Sequence, residues 1–238
     1  MNNNVLVMAI RPLSLVIIDL QRADEIIRIE IPKTPNAEEQ QTISNVFADP
    51  TGRHLVVTLS TAESYYLSTA NLSTVATTPR KPRLLRLRHS ISAIAWPPRS
   101  PSGTASVECL IGSPNGVVST LLLPPQDDIF NLKSVSLTKS VEKDHTVLFT
   151  LPDGECVTGL GYGFWKVGTG QDVKKGDRRV WVVLATKQRM YEFSGTTGQG
   201  TSLVGKGGWG EDIFRPYRDS APSELSFSRA HDETDGCV

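Results

Sequence analysis

The stretch Ile43–Leu67, ISNVFADPTGRHLVVTLSTAESYYL, decides the fold. Ile43 to Ala48 is a short, largely apolar run. Asp49-Pro50-Thr51-Gly52 ends it with turn chemistry, because proline presets φ and glycine accepts a positive φ. Leu55 to Leu59 follows as a β-branched run, the pattern of a strand buried on both faces, and Leu55, Val56 and Val57 are assigned to the core. Thr61-Ala62-Glu63-Ser64 turns the chain again, and Tyr65, Tyr66 and Leu67 begin a third strand. A strand, a D-P-x-G turn, a buried strand and an aromatic strand make up most of one propeller blade.

The same order recurs along the chain. Ile91–Trp96 is an apolar run, followed by a polar loop at Arg99–Thr104, a strand at Val107–Ile111 and another at Val117–Leu123. Asn115-Gly116 between the last two is a strong hairpin signal. A further unit reads Val157–Tyr162, a polar loop at Lys166–Asp177, Val180–Ala185, a Lys187-Gln188 turn and Met190–Phe193. Leu84–Arg88 and Val147–Leu151 are the expected outer strands, and Leu225-Ser226-Phe227 the start of another blade. Val5–Ile10, Leu15–Leu20 and Ile26–Ile31 read as the last three strands of a first blade. The spacing is irregular and mostly longer than the ~40–50 residues of a compact blade, which points to insertions in the loops. Helical periodicity is weak throughout, and Ala37–Thr42 is at most a single turn. The expectation is an all-β chain, a partial β-propeller of about three to four antiparallel blades. It forms one domain over residues 1–238, incomplete at both ends, with a Gly-rich polar linker at 196–224.

The chain has 238 residues with 25 basic and 25 acidic side chains, a net charge of zero, which argues against a general nucleic-acid binder. Cys109, Cys156 and Cys237 have no metal-ligand spacing, and their odd number speaks against a disulfide framework, so they are read as reduced thiols of a cytosolic protein. The runs Val5–Ile10 and Leu13–Ile18 are broken by Arg11-Pro12. Each is far shorter than the ~20 apolar residues a bilayer requires, and together they read as two strands.

Few motifs carry chemistry. Gly200–Lys206 satisfies G-x-x-x-x-G-K, but Gly207 stands where a Mg²⁺-binding hydroxyl is needed and Gly208-Trp209-Gly210 where a helix should start. The plainer assignment is an inter-strand loop. His54, His89, His145 and His231 lie far apart, and none has a carboxylate or cysteine at metal-ligand spacing. Asp49 and Asp127-Asp128 are loop or turn carboxylates. Tyr65, Tyr66, Tyr191 and Phe193 sit in strands as core aromatics. No catalytic, cofactor-binding or metal-binding residue is assigned, and no cofactor is expected. Arg80, Lys81, Arg83, Arg86 and Arg88 form the strongest basic run. Alternation with Leu85 and Leu87 would make one strand face basic, suited to anionic headgroups or an acidic partner. The plainer alternative is a solvated outer strand whose charges discourage edge pairing. Lys174–Arg179 is a second basic segment with the same two readings.

VLVMAI at 5–10, IIDLQRADEIIRIEIPK at 17–33, VFADPTGRHLVVTLS at 46–60 with YYL at 65–67, LPDGECVTGL at 151–160 and RRVWVVLATKQRMYEFSG at 178–195 resemble the N-terminal β-propeller of the deep-orange family. These are class C vacuolar protein sorting subunits. The resemblance covers about residues 3–195. It implies a non-catalytic, cytosolic scaffold of the HOPS and CORVET tethering complexes. It would sit peripherally on late endosome and vacuole or lysosome membranes and act in vesicle docking and fusion. Implied partners are the other class C subunits, with Rab GTPases and SNAREs at the level of the complex. The family's α-helical solenoid and zinc-binding RING region have no counterpart in this sequence. A propeller enzyme using loop carboxylates and a direct membrane-surface binder remain the alternatives.

Overall fold

The computed structural model describes residues 5–21, 24, 26–33, 41–69, 81–97, 108–123, 145–151, 154–166, 178–196, 203 and 213–214. Its elements are strands, apart from a helical pair at Ile213-Phe214. They form four sheets, in each of which strands adjacent in sequence are neighbours. The first holds β1 (Val5–Ile10), β2 (Ser14–Asp19) and β3 (Ile26–Glu30). The second holds β4 (Ile43–Ala48), β5 (His54–Leu59), β6 (Ser64–Ser68) and β7 (Arg83–Leu85). The third runs from β8 (Ala93–Ala95) through β9 (Glu108–Gly112) and β10 (Val117–Leu122) to β11 (His145–Thr150). The fourth holds β12 (Gly159–Lys166), β13 (Arg178–Ala185) and β14 (Met190–Thr196). The strands separate into two compact units. One comprises Met1–Ile91, Trp96–Cys109 and Leu121–His145, and the other Ser92–Ala95, Leu110–Thr120 and Thr146–Val238.

The first unit shows how the deciding stretch folds. Gly52, at φ 68°, turns the chain so that its N–H reaches Asp49 O at 2.8 Å, and Asp49 N–H reaches His54 O at 3.0 Å. β4 and β5 then pair antiparallel, Phe47 opposite Val56, and β6 pairs with β5, Tyr66 opposite Val56. Every residue of β5 is buried. Alternation does the sorting, because successive side chains of a strand point to opposite faces. Leu55, Val57, Leu59, Tyr65 and Leu67 gather with Leu13, Leu15, Ile17, Ile29 and Ile31 of the first sheet into one core. Each fully buried aliphatic side chain there contributes roughly 1.5–3 kcal/mol.

The second unit has its own core. Val180, Val182 and Leu184 of β13 are fully buried and meet Tyr162, Tyr191, Phe193, Leu148 and Phe149. Phe149, Phe193 and Phe214 form an aromatic triad with ring centroids 4.7–5.1 Å apart. Leu203, Ile213 and Phe214 belong to this core although they lie in the stretch read from sequence as a Gly-rich polar linker. The Asn115-Gly116 hairpin forms as expected, with Gly116 at φ 76°.

Several strand bounds differ from their sequence reading, two of them in ways that bear on candidate residues. The expected strand Val157–Tyr162 starts later and runs further, as Gly159–Lys166. Val157 is instead buried beside Gly112, its N–H bonded to Ser113 O at 3.1 Å. Lys166 is therefore the end of a strand rather than the start of a loop. The expected outer strand Leu84–Arg88 is β7, Arg83–Leu85. The N–H of Leu87 folds back to Leu85 O at 3.0 Å and takes the chain out of the ladder. The Arg99–Thr104 loop, residues 167–177, the new start at Leu225, Asp127-Asp128, His231 and Cys237 lie outside the described residues.

Gly112 offers a test of this packing. A Cβ there would stand 2.4 Å from Val157 Cγ1 and 2.8 Å from its Cβ. Gly112→Ala is expected to lower stability by about 1–3 kcal/mol through overpacking. At Gly161 nothing lies within 4 Å of an added Cβ, so Gly161→Ala should change stability by less than about 0.5 kcal/mol. Paired denaturant titrations of the two variants check the contrast.

Candidate interaction surface

Two carboxylates that could do chemistry, Asp49 and Glu155, are occupied in holding turns. Asp49, 3% exposed, is the clearest case. One of its carboxylate oxygens accepts from the backbone N–H of Arg53 at 2.7 Å and of His54 at 2.8 Å. The other accepts from Thr51, through N–H at 3.2 Å and hydroxyl at 2.5 Å. Glu155 does the same for the β13–β14 turn. Arg189 Nε sits 3.1 Å from its Oε1, and the Thr186 hydroxyl donates to Oε2 at 2.8 Å. Tyr191 Oη donates to the same oxygen at 3.3 Å, and burial, then Glu155, raises the phenol's pKa. These carboxylates are structural fasteners. Among the described residues no group of three His, Cys, Asp or Glu could hold a metal ion. No helix among them is long and apolar enough to cross a membrane.

His54 lies beneath the Asp49 turn at 1% exposure, with Nδ1 2.7 Å from Tyr66 Oη. Burial pushes its pKa below 6.5; Arg53 acts in the same direction and Asp49 against it. The unfolded chain therefore protonates this imidazole before the folded chain does. Its effect on stability is absent above its unfolded pKa of 6.5, and destabilisation grows as pH falls from there toward the folded pKa. His145 is shifted the same way by burial, Arg88 and His89. The melting temperature is expected to drop between about pH 7.5 and about pH 5.5, and His54→Gln to flatten part of that slope. A series of thermal melts against pH checks both.

The basic run is placed as follows. Arg80 lies outside the described residues. Lys81, Arg86 and Arg88 are exposed, Arg83 is half-buried in β7 opposite Tyr66, and Leu85 is buried. Because β7 stops at Leu85, Arg86 and Arg88 are not strand residues, and the alternating basic face read from sequence is not formed. The far end of the run instead approaches His145, whose charged form Arg88 and His89 disfavour. Sequence gave no signal of that juxtaposition, which depends on where β11 begins. The second basic segment contributes Arg179, exposed in β13, while Lys174 to Asp177 lie outside the described residues. The G-x-x-x-x-G-K stretch also lies outside them except for Leu203, which is core.

The sheets are each built up-and-down from strands adjacent in sequence, and comparison with known proteins gives the family. The model of the Pep3/Vps18/deep orange β-propeller domain matches residues 1–235. The chain belongs to this family. Its sheets are blades of a β-propeller, as the strand order implied. The chain is 25% identical over 231 residues to the vacuolar protein sorting-associated protein 18 homolog of Danio rerio, covering 94% of this chain and 20% of that protein. It is 27% identical over 236 residues to the vacuolar membrane protein pep3 of Schizosaccharomyces pombe, covering 99% and 21%. It thus spans about a fifth of the length of these Pep3/Vps18 relatives. Among solved structures, the β-propeller domain of Myceliophteria thermophila Cps50 (Swd1) is similar with a TM-score of 0.43 at 13% identity, over 78% of this chain and 47% of that one.

Proposed function

We propose that this chain is a non-catalytic interaction scaffold in a membrane-tethering assembly of the HOPS or CORVET kind, acting in traffic from endosome to vacuole or lysosome. The observation that carries the reading is the family match over residues 1–235. The commitment of Asp49 and Glu155 to turns supports it against the rival of an enzyme with loop carboxylates. Its partners are the other class C sorting subunits, with Rab GTPases and SNAREs engaged by the assembly. It reaches late endosome and vacuole membranes peripherally and through those partners.

The partner surface is assigned to the long polar stretches Arg99–Thr104, Lys166–Asp177 and Gly195–Gly210, apart from the strand residues Lys166, Gly195 and Thr196 and the core residue Leu203. Segments that vary without disturbing a rigid β scaffold are natural recognition elements. Deleting each stretch down to a tight turn, then co-precipitating with purified class C subunits, tests the assignment. At least one deletion is expected to weaken capture while leaving the melt intact. Normal capture by all three deletions would move the interface onto the blades. Arg80, Lys81, Arg83, Arg86 and Arg88 are not expected to hold the chain on lipid by themselves, since each contributes about 1 kcal/mol near an anionic surface. Flotation with anionic liposomes at physiological salt, abolished by charge reversal at these positions, would favour the membrane-binding alternative.

A further inference from the structure

The second sheet has two unlike faces. One is dry: Leu55, Val57 and Leu59 of β5, with Tyr65 and Leu67 of β6, enter the core of the first unit. The other is set by the register, which pairs His54 with Ser68, Val56 with Tyr66 and Thr58 with Ser64. Side chains of residues paired in this way share a face. This second face is largely polar, yet His54, Thr58 and Ser64 are each only 1% exposed. Thr58 is provided for within the sheet, its hydroxyl lying 3.0 Å from that of Ser44.

The others are not provided for. His54 Nε2, Ser64 Oγ and Ser68 Oγ are buried and make no hydrogen bond to protein. Among the described residues the one other side-chain atom in that condition is His145 Nε2, on the third sheet, so these orphans concentrate on a single face. Leaving three buried groups unpaired would consume a large part of a domain's marginal stability. The imidazole narrows what can satisfy it. Its Nδ1 lies 2.7 Å from Tyr66 Oη. If the phenol donates, Nε2 carries the proton and requires an acceptor; if Nδ1 donates, Nε2 requires a donor.

We propose that this buried face binds ordered water as a permanent part of the fold, at His54 Nε2 with Ser68 Oγ and, separately, at Ser64 Oγ. Water both donates and accepts, so it serves the imidazole in either tautomer and both hydroxyls. The two sites are distinct because Ser64 and Ser68 stand on either side of Tyr66, about 13 Å apart along β6. Each is a small side chain next to a large ring, which leaves space beside it on the sheet. A metal ion is a poorer occupant, since the register places one imidazole and no carboxylate on this face. Water at Nε2 would also fix which imidazole nitrogen carries the proton, and with it the direction of the hydrogen bond to Tyr66.

Oxygen-17 magnetic relaxation dispersion of the 238-residue chain, which detects long-lived internal water, tests this beside urea titrations. Ser64→Ala and Ser68→Ala are each expected to reduce the dispersion amplitude and to lower the urea midpoint by roughly 0.2–0.5 M, because each removes a hydroxyl that water satisfies. An unpaired hydroxyl would behave in the opposite way, and its removal would leave the midpoint unchanged or raise it. If a variant does not fold, the parent alone decides: a cross-relaxation signal from long-lived water to the His54 ring proton between the two nitrogens is expected. Absence of that signal would overturn the proposal. So would folded variants with the parent's dispersion amplitude, or variants at least as stable as the parent.

Discussion

Replacing Val56 with Asp is expected to abolish the cooperative thermal transition of the chain. Val56 is completely buried at the centre of β5, paired with Phe47 on one side and Tyr66 on the other. The nearby Asp49 carboxylate already takes the backbone donors of Arg53 and His54, and His54 Nδ1 is engaged with Tyr66. Burying an unpaired acid and deleting a core side chain together cost about 4–5 kcal/mol or more, against a total stability of about 5–15 kcal/mol. Circular dichroism melts of the purified variant provide the measurement. A folded variant with the parent's melting temperature would show that β5 does not occupy the centre of its sheet.

Asp49→Ala carries the second large effect, an expected loss of about 3 kcal/mol. The substitution removes one carboxylate that satisfies the backbone N–H groups of Thr51, Arg53 and His54 and the Thr51 hydroxyl. The His54 donor is buried, so no water replaces the lost acceptor without rearrangement of the turn. Asp49→Asn should lie between the two, because its oxygen can still accept from Arg53 and His54 while its amide cannot accept from Thr51. Urea titrations of the three proteins give the order. Equal stability of Asp49→Ala and the parent would mean that Pro50 and Gly52 alone define the turn.

These two residues also show what was legible in the sequence. The β4–β5 turn could be read because its chemistry is local: proline, glycine and aspartate act within four residues of one another. The β-branched run that follows could be read because burial on both faces removes the need for polar alternation. β12 was misplaced because Gly159, Gly161 and Gly163 have little strand propensity of their own. Their pairing is imposed by Ala185, Val183 and Trp181 across the ladder, which is tertiary information. Leu203, Ile213 and Phe214 were hidden for a related reason, as isolated apolar residues among glycine and polar neighbours, with no period to reveal a buried face. β7 ended early because a single backbone hydrogen bond at Leu87 outweighed an alternating pattern through Arg88.

For the candidate surface, sequence identified the basic residues but not their setting. Alternation with leucine suggested a charged strand face, whereas the ladder stops before Arg86 and Arg88. The part of Asp49 was visible only as a turn residue, since its hydrogen bonds to Arg53 and His54 arise once β5 is paired.

The central claim is that this chain is a binding scaffold, and calorimetric titration of the purified protein with each purified class C sorting subunit tests it most directly. The account predicts saturable binding to at least one subunit, retained after charge reversal at Arg83, Arg86 and Arg88 and lost in Val56→Asp. Failure to bind any subunit, with turnover of a small-molecule substrate by the same folded preparation, would contradict it.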